Sequence, residues 1–209
     1  MPSFDLFSVG HSNVPKERFF AMLQEAGVNV IADVRSAPYS RFAPWFSQQK
    51  LAASLSAFGI GYVAMGDALG GRPRHDSLFR DGIADYEAMA AQPDYRAGVD
   101  RLIEAVPRSR VCLMCAEREP LDCHRCLLVA RSLAGRGIVV GHILHNGSVE
   151  THAATEQRLL ALDGQGDAQA CDLFASGQRE RLAAAYWRRA RAVAFRRKAP
   201  TSRAVAEPR

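Results

Sequence analysis

The sequence predicts a three-layer α/β protein: a mostly parallel sheet of about five strands, helices on both faces, and a C-terminal helical extension. Three observations predict it. Short β-branched apolar runs alternate with segments whose apolar residues recur at helical spacing, the pattern of a parallel sheet covered on both faces. Gly or Pro punctuates most junctions between them. The 209 residues are 48% hydrophobic and 23% charged, which suffices for a sizeable core and excludes general disorder.

Phe4 to Val9 reads as the first strand. Pro15 stands where a first helical turn accepts it, and Phe19, Phe20, Leu23 and Ala26 form a helical stripe closed by Gly27. Val28 to Val34 is a second strand, Ser47 to Phe58 a second helix, and Ile60 to Met65 a short third strand. A Gly/Arg-rich loop runs from Gly66 to Arg74, and residues 83–106 hold one or two helices broken near Pro93. Arg110 to Cys115 is a fourth strand, Cys123 to Ala134 a helix, and Ile138 to Leu144 a fifth strand before an Asn146-Gly147 turn. Glu150 to Leu162 and much of 168–198 read as helical. The expected division is an α/β domain over 1–150, a helical extension packed on it over 151–198, and a frayed tail over 199–209.

The formal charge of +5 is unevenly placed. Residues 1–177 carry 17 Lys+Arg against 20 Asp+Glu, and residues 178–209 carry 10 against 2. A mildly acidic body therefore precedes a strongly basic C-terminal segment, and a uniformly basic domain is excluded. Arg179 to Lys198 interleaves arginines with Tyr186, Trp187 and Phe195, which suits either nucleic-acid contact or a packed helix with a solvated face. There is no secretory pattern at Met1 to Asp5, no membrane-spanning run, and an odd number of cysteines, five, four of them between Cys112 and Cys126. A reducing cytoplasm is the expected location, with no membrane partner.

In open parallel sheets ligands sit beyond the carboxyl ends of the strands. Polar groups collect there: His11, Ser12 and Asn13 after the first strand, Asp33, Arg35, Tyr39 and Arg41 after the second, Arg72 after the third. The sharpest segment follows the fourth strand, with Cys115, Glu117, Cys123, His124 and Arg125. A thiol near a helix start and an Arg gains thiolate character, and a nearby His serves as its base. The spacing of Cys112, Cys115, Cys123 and Cys126 also resembles a zinc site, but the first pair lies on a strand at an odd offset and points to opposite faces. No metal or other cofactor is expected.

Val9-Gly10-His11-Ser12-Asn13, Asp33 to Phe42, Gly70-Gly71-Arg72-Pro73, Cys115-Ala116-Glu117 with Cys123-His124-Arg125, and His142-Ile143-Leu144 together resemble the DUF488 family, in the same order over roughly residues 4–150. The resemblance implies a Rossmann-like α/β fold and the same site residues, and it names no reaction. The expected function is an intracellular thiol-dependent hydrolase or transferase acting on a nucleotide or nucleic-acid-derived substrate. In it Cys115 is the nucleophile, His124 the acid/base, Glu117 and Asp33 assist, and the substrate is held by His11, Ser12, Asn13, Arg35, Tyr39, Arg41, Arg72, Cys123 and Arg125. The alternatives are a non-catalytic nucleotide or nucleic-acid binding module, aided by the basic helix, and a zinc-stabilised domain.

Overall fold

The computed structural model describes residues 3–40, 42–164 and 175–197. The sheet holds six strands, β1 (Leu6–Gly10), β2 (Val30–Asp33), β3 (Gly61–Ala64), β6 (Val111–Cys115), β7 (Val140–Ile143) and β8 (Val149–Thr151), in the spatial order β3-β2-β6-β1-β7-β8. The first five are parallel and β8 is antiparallel to β7. The sixth strand is the departure from expectation. The Asn146-Gly147 turn folds Val149–Thr151 back on β7 before the helix begins, so Glu150 belongs to the strand. A second, two-residue hairpin pairs β4 (Phe79–Arg80) with β5 (Ile83–Ala84) across Asp81-Gly82, both at positive φ.

Alternation along each strand divides the core in two. Phe7, Val9, Ile31, Cys112 and Met114 face α1 (Lys16–Glu25) and α2 (Gln48–Ala57), where they meet Phe19, Leu23, Leu51 and Leu55. Leu6, Ala32, Val34, Leu113 and Cys115 face the opposite layer. That layer contains α3 (Gly66–Leu69), α4 (Tyr86–Ala90), α5 (Pro93–Ala105), α6 (Arg131–Ala134), α7 (His152–Leu162) and α8 (Ala175–Val193). Three local expectations are refined. Pro15 is the residue before α1 rather than its first helical residue. The break expected near Pro93 falls at residues 91–92, between α4 and α5, with Pro93 as the first residue of α5, a position that tolerates it. The helix expected from Cys123 begins instead at Arg125, as a π-helical stretch Arg125–Ala130 that continues into α6.

The C-terminal extension is fastened to the body by paired charges and one buried relay. Arg188 meets Asp163, Arg189 meets Asp122, Arg191 meets Asp81 at 2.9 Å and Arg197 meets Asp76 at 2.7 Å. The basic segment is thus partly complementary to the acidic body of its own chain. In the relay, Ser8 Oγ is 2.7 Å from His142 Nδ1, His142 Nε2 is 2.9 Å from His152 Nδ1, and His152 Nε2 is 3.0 Å from Tyr186 Oη. Tyr186 donates to Glu156 at 3.0 Å. One direction of donation satisfies every member: Ser8 to His142 to His152 to Tyr186 to Glu156. It requires both imidazoles to be neutral. Burial enforces this, pushing His152 down to about 4 and His142 well below the usual histidine range.

Two outcomes are expected. Tyr186→Phe removes two links from a buried chain and lowers unfolding free energy by about 1–3 kcal/mol in a urea titration. The wild-type protein loses stability as pH falls from about 6.5, where unfolded histidines begin to bind protons, to about 4, where folded His152 does. A urea midpoint unchanged across that window contradicts the relay.

Candidate functional site

The connection from β2 leads outward to β3, while the connection from β6 leads the opposite way, past β1, to β7. Adjacent strands whose connections diverge leave a crevice beyond their carboxyl ends, the usual ligand position in such sheets. A cavity of about 270 Å³ lies there. Arg35 and Ser36 line it from the β2 end, Gly71 and Arg72 from the loop, and Cys115, Glu117 and His124 from the segment after β6. Its remaining wall includes Val193 and Phe195, from the end of the extension.

The segment after β6 brings four titratable side chains together. Both thiols, Cys115 and Cys123, donate to Glu117 Oε2, at 2.8 and 3.0 Å. His124 Nδ1 lies 3.7 Å from the Cys115 sulfur and 3.9 Å from that of Cys123. His124 Nε2 donates to the Val34 carbonyl at 2.9 Å, so Nδ1 is the atom turned to the thiols. Arg125 is wholly buried and donates to the Glu117 and Arg118 carbonyls at 2.6 and 3.0 Å. Two glycines make this approach possible. A Cβ on Gly10 would stand 1.8 Å from the Glu117 carbonyl oxygen, and one on Gly71 would stand 2.7 Å from the His124 ring.

Burial and charge distribute protons unevenly. Burial pushes the Cys115 thiol well up, and the neighbouring Cys123 sulfur pushes it further. Burial also acts against ionisation of Cys123. There it is outweighed by the hydrogen bond from Cys115, the Arg125 guanidinium and His124, which hold the thiol well below its usual range. His124 is raised despite burial by the Cys123 sulfur and Glu117. Of the two thiols, ionisation is thus easier for Cys123, behind the cavity wall, than for Cys115, which lines the cavity.

The other expected residues are distributed as follows. Arg35 grips Asp33 through Nη2 at 2.6 Å and Nε at 2.9 Å, with both side chains buried. Tyr62 donates to the same carboxylate at 2.6 Å. Arg35 Nη1 meets His11 Nε2 at 3.1 Å, and His11 stacks on Phe46 with centroids 4.3 Å apart. Burial, then the Arg35 charge, pushes His11 down to about 4. Asp33, Arg35 and His11 thus form one closed buried network. Arg125 likewise commits its Nη1 and Nη2 groups to carbonyls.

Ser12 takes a positive φ of 41° and donates its N–H to the Ala116 carbonyl at 2.9 Å, tying the two strand ends together. Asn13 is exposed, and Tyr39 is 70% exposed on the following loop. Arg41 lies outside the described residues. Arg72 remains with its charge at the cavity, its guanidinium over the Phe195 ring at 5.2 Å and its backbone N–H donating to Ser36 Oγ at 3.0 Å. Cys112 is on the opposite face of the sheet from Cys115, which excludes a four-cysteine zinc set.

The wall made by residues 193–197 was not expected. After α8 the chain pairs with the hairpin, Ala84 N–H to Phe195 O and Arg197 N–H to Gly82 O, both at 2.9 Å. The Asp81-Gly82 turn was the available signal, because it marks a hairpin edge able to receive another strand.

These features define a carboxyl-edge-site α/β protein with a Cys/Glu/His cluster. A family model described as "Domain of unknown function DUF488" matches residues 15–132, more than half of the sequence, and the chain belongs to that family. The matched span contains the cluster and ends before β7 and the extension. Comparison with curated proteins and with solved structures gave no match. Among the described residues no helix is long and apolar enough to cross a membrane.

Asp33→Ala is expected to cost about 3–5 kcal/mol, because it leaves the Arg35 guanidinium buried without its carboxylate. Denaturant unfolding measures this, and a loss under about 1 kcal/mol contradicts a closed network.

Proposed function

We propose that this chain is an enzyme, of hydrolase or transferase type, acting on a small anionic, nucleotide-like substrate. The observation that carries the reading is the coincidence of three things in one cavity at the sheet's switch point. Its floor is the Cys115–Glu117–His124 edge of a titratable cluster, its rim holds the Arg72 cation, and its walls include Tyr86 and Phe195. Perturbed titratable groups converging in a cleft are the signature of reactive sites.

The size of the substrate follows from the neighbouring space. Cavities of about 350 and 240 Å³ adjoin the first, and all three share Ser36. Together they fall in the roughly 300–1,000 Å³ range of small-molecule sites. This suits a ligand with separate parts, such as base, sugar and phosphate, better than a simple anion. In this reading Arg72 holds the phosphate, and Glu117 and His124 move protons at the floor. Asp33 acts as a positioning residue through Arg35. The internal pairing of Arg188, Arg189, Arg191 and Arg197 favours a small substrate over a polymer laid along α8.

A thermal-shift screen of the full chain with nucleoside mono-, di- and triphosphates, nucleosides and inorganic phosphate tests this. At 100 times its Kd a ligand adds about 2.7 kcal/mol of stability. The expected result is a shift with at least one nucleotide, larger than with phosphate or nucleoside alone, and lost in Arg72→Ala. No shift with any nucleotide contradicts the reading.

A further inference from the structure

We propose that Cys115, Cys123 and His124 hold a zinc-class divalent cation at the floor of the cavity, with Glu117 as a fourth, exchangeable donor. The inference names the reactive group of the site proposed above and rests on that reading only for what the ion acts upon.

The donor atoms already stand close to coordination distances. Their sulfur, nitrogen and carboxylate oxygen atoms all lie within 4.8 Å of one another. With Zn–S about 2.3 Å and Zn–N about 2.0–2.1 Å, tetrahedral ligands sit about 3.6 Å apart from sulfur to nitrogen. The two sulfur-to-Nδ1 distances are 3.7 and 3.9 Å. The thiol-to-Glu117 distances, 2.8 and 3.0 Å, are shorter than such an edge, so an ion displaces this carboxylate outward. Glu117 is the exposed member of the set and can move, whereas the other three are buried.

Three surrounding contacts are of the kind that orient metal ligands. His124 is fixed by its Nε2–H on the Val34 carbonyl, as ligating histidines commonly are. The Arg125 backbone N–H points at the Cys123 sulfur at 3.4 Å. The Arg125 guanidinium is fully buried, and among the described residues no carboxylate pairs with it, while its Nε has no hydrogen-bond partner. A buried cation needs compensating negative charge. Two thiolates and the Glu117 carboxylate carry three negative charges, which balance a divalent ion together with Arg125. Mixed sulfur, imidazole and carboxylate donors select zinc or cobalt over magnesium or calcium. Three firm ligands and one movable donor facing a cavity match a catalytic rather than a closed structural site.

On this inference Cys115 is a ligand and not a nucleophile, His124 is a ligand in place of the proton carrier of the reading above, and Glu117 moves protons only when it is off the ion. Ligation releases the thiol protons to solvent. The buried group Cys126, His142 and His152 is the competing location, but its imidazoles are already satisfied in the relay, and it opens on no cavity given above.

The test uses the purified full-length chain. Metal content is measured first. The protein is then stripped with a chelator under reducing conditions and titrated with Co²⁺. The expected result is about one zinc-class ion per chain as purified. Co²⁺ should bind at one equivalent, with a thiolate-to-metal charge-transfer band and the strong visible bands of tetrahedral coordination. Cys123→Ser, checked for fold by far-UV circular dichroism, should lose the band, and Cys112→Ala should keep it. Wild-type protein that is natively folded, metal-free and gives no such band with Co²⁺ overturns the inference without needing any variant. A band that survives Cys123→Ser but disappears in Cys126→Ser also overturns it, by placing the ion in the other cluster. If the chain takes up no zinc-class ion and no Co²⁺ yet a nucleotide still shifts it, the inference fails and the functional reading stands. If the ion binds and no nucleotide does, the reverse holds.

Discussion

The structure depends on a guanidinium that water does not reach. Arg125 is fully buried at the carboxyl edge of the sheet, where a charge is stable only if its surroundings are built around it. Its donors hold the Glu117 and Arg118 carbonyls, which curls the chain after β6 back over the end of β1. That curl places the Glu117 side chain on both thiols. Gly10 exists at the end of β1 because only a residue without Cβ admits the Glu117 carbonyl so closely. The charge of Arg125 in turn favours anionic sulfur beside it, and that ties the ionisation of the cluster to the geometry of the fold.

A second buried pair, Asp33 with Arg35, performs the parallel task at the end of β2. It joins His11, just after β1, and Tyr62 within β3, so one carboxylate and one guanidinium tie three strands together. The cavity lies between these two networks. Its outer wall is of different character, since Phe195 reaches it at the end of an extension held by surface ion pairs and by the Tyr186 relay. Surface pairs contribute little each, so the relay and the apolar face of α8 hold that wall in place. The basic charge of the C-terminal segment is partly a fastening device: four of its arginines meet aspartates of the body.

Much of this was legible in the chain. The alternation of strands and helices predicted the layers, and the odd offset of Cys112 from Cys115 predicted opposite faces. The polar residues at strand ends marked the edge where the cavity lies. What could not be read was the direction of each guanidinium. Asp33-Val34-Arg35 is equally compatible with an anion-binding Arg and with a sealed pair, and only three-dimensional burial chooses between them. The π-helical stretch at Arg125–Ala130 has no sequence signature in an apolar run, yet it sets where Arg125 and Cys126 point. The β8 strand, three residues long, was hidden by the helical periodicity that follows it. The pairing of residues 195–197 with a two-residue hairpin is a long-range contact that local propensity does not report.

The claim most central to this picture is that the two thiols and one imidazole form a single metal-binding center at the cavity floor. Zinc K-edge X-ray absorption on the full-length protein tests it most directly. The expected first shell contains two sulfurs at about 2.3 Å and lighter nitrogen or oxygen donors at about 2.0–2.1 Å. A first shell of nitrogen and oxygen alone, or one with a single sulfur, contradicts it.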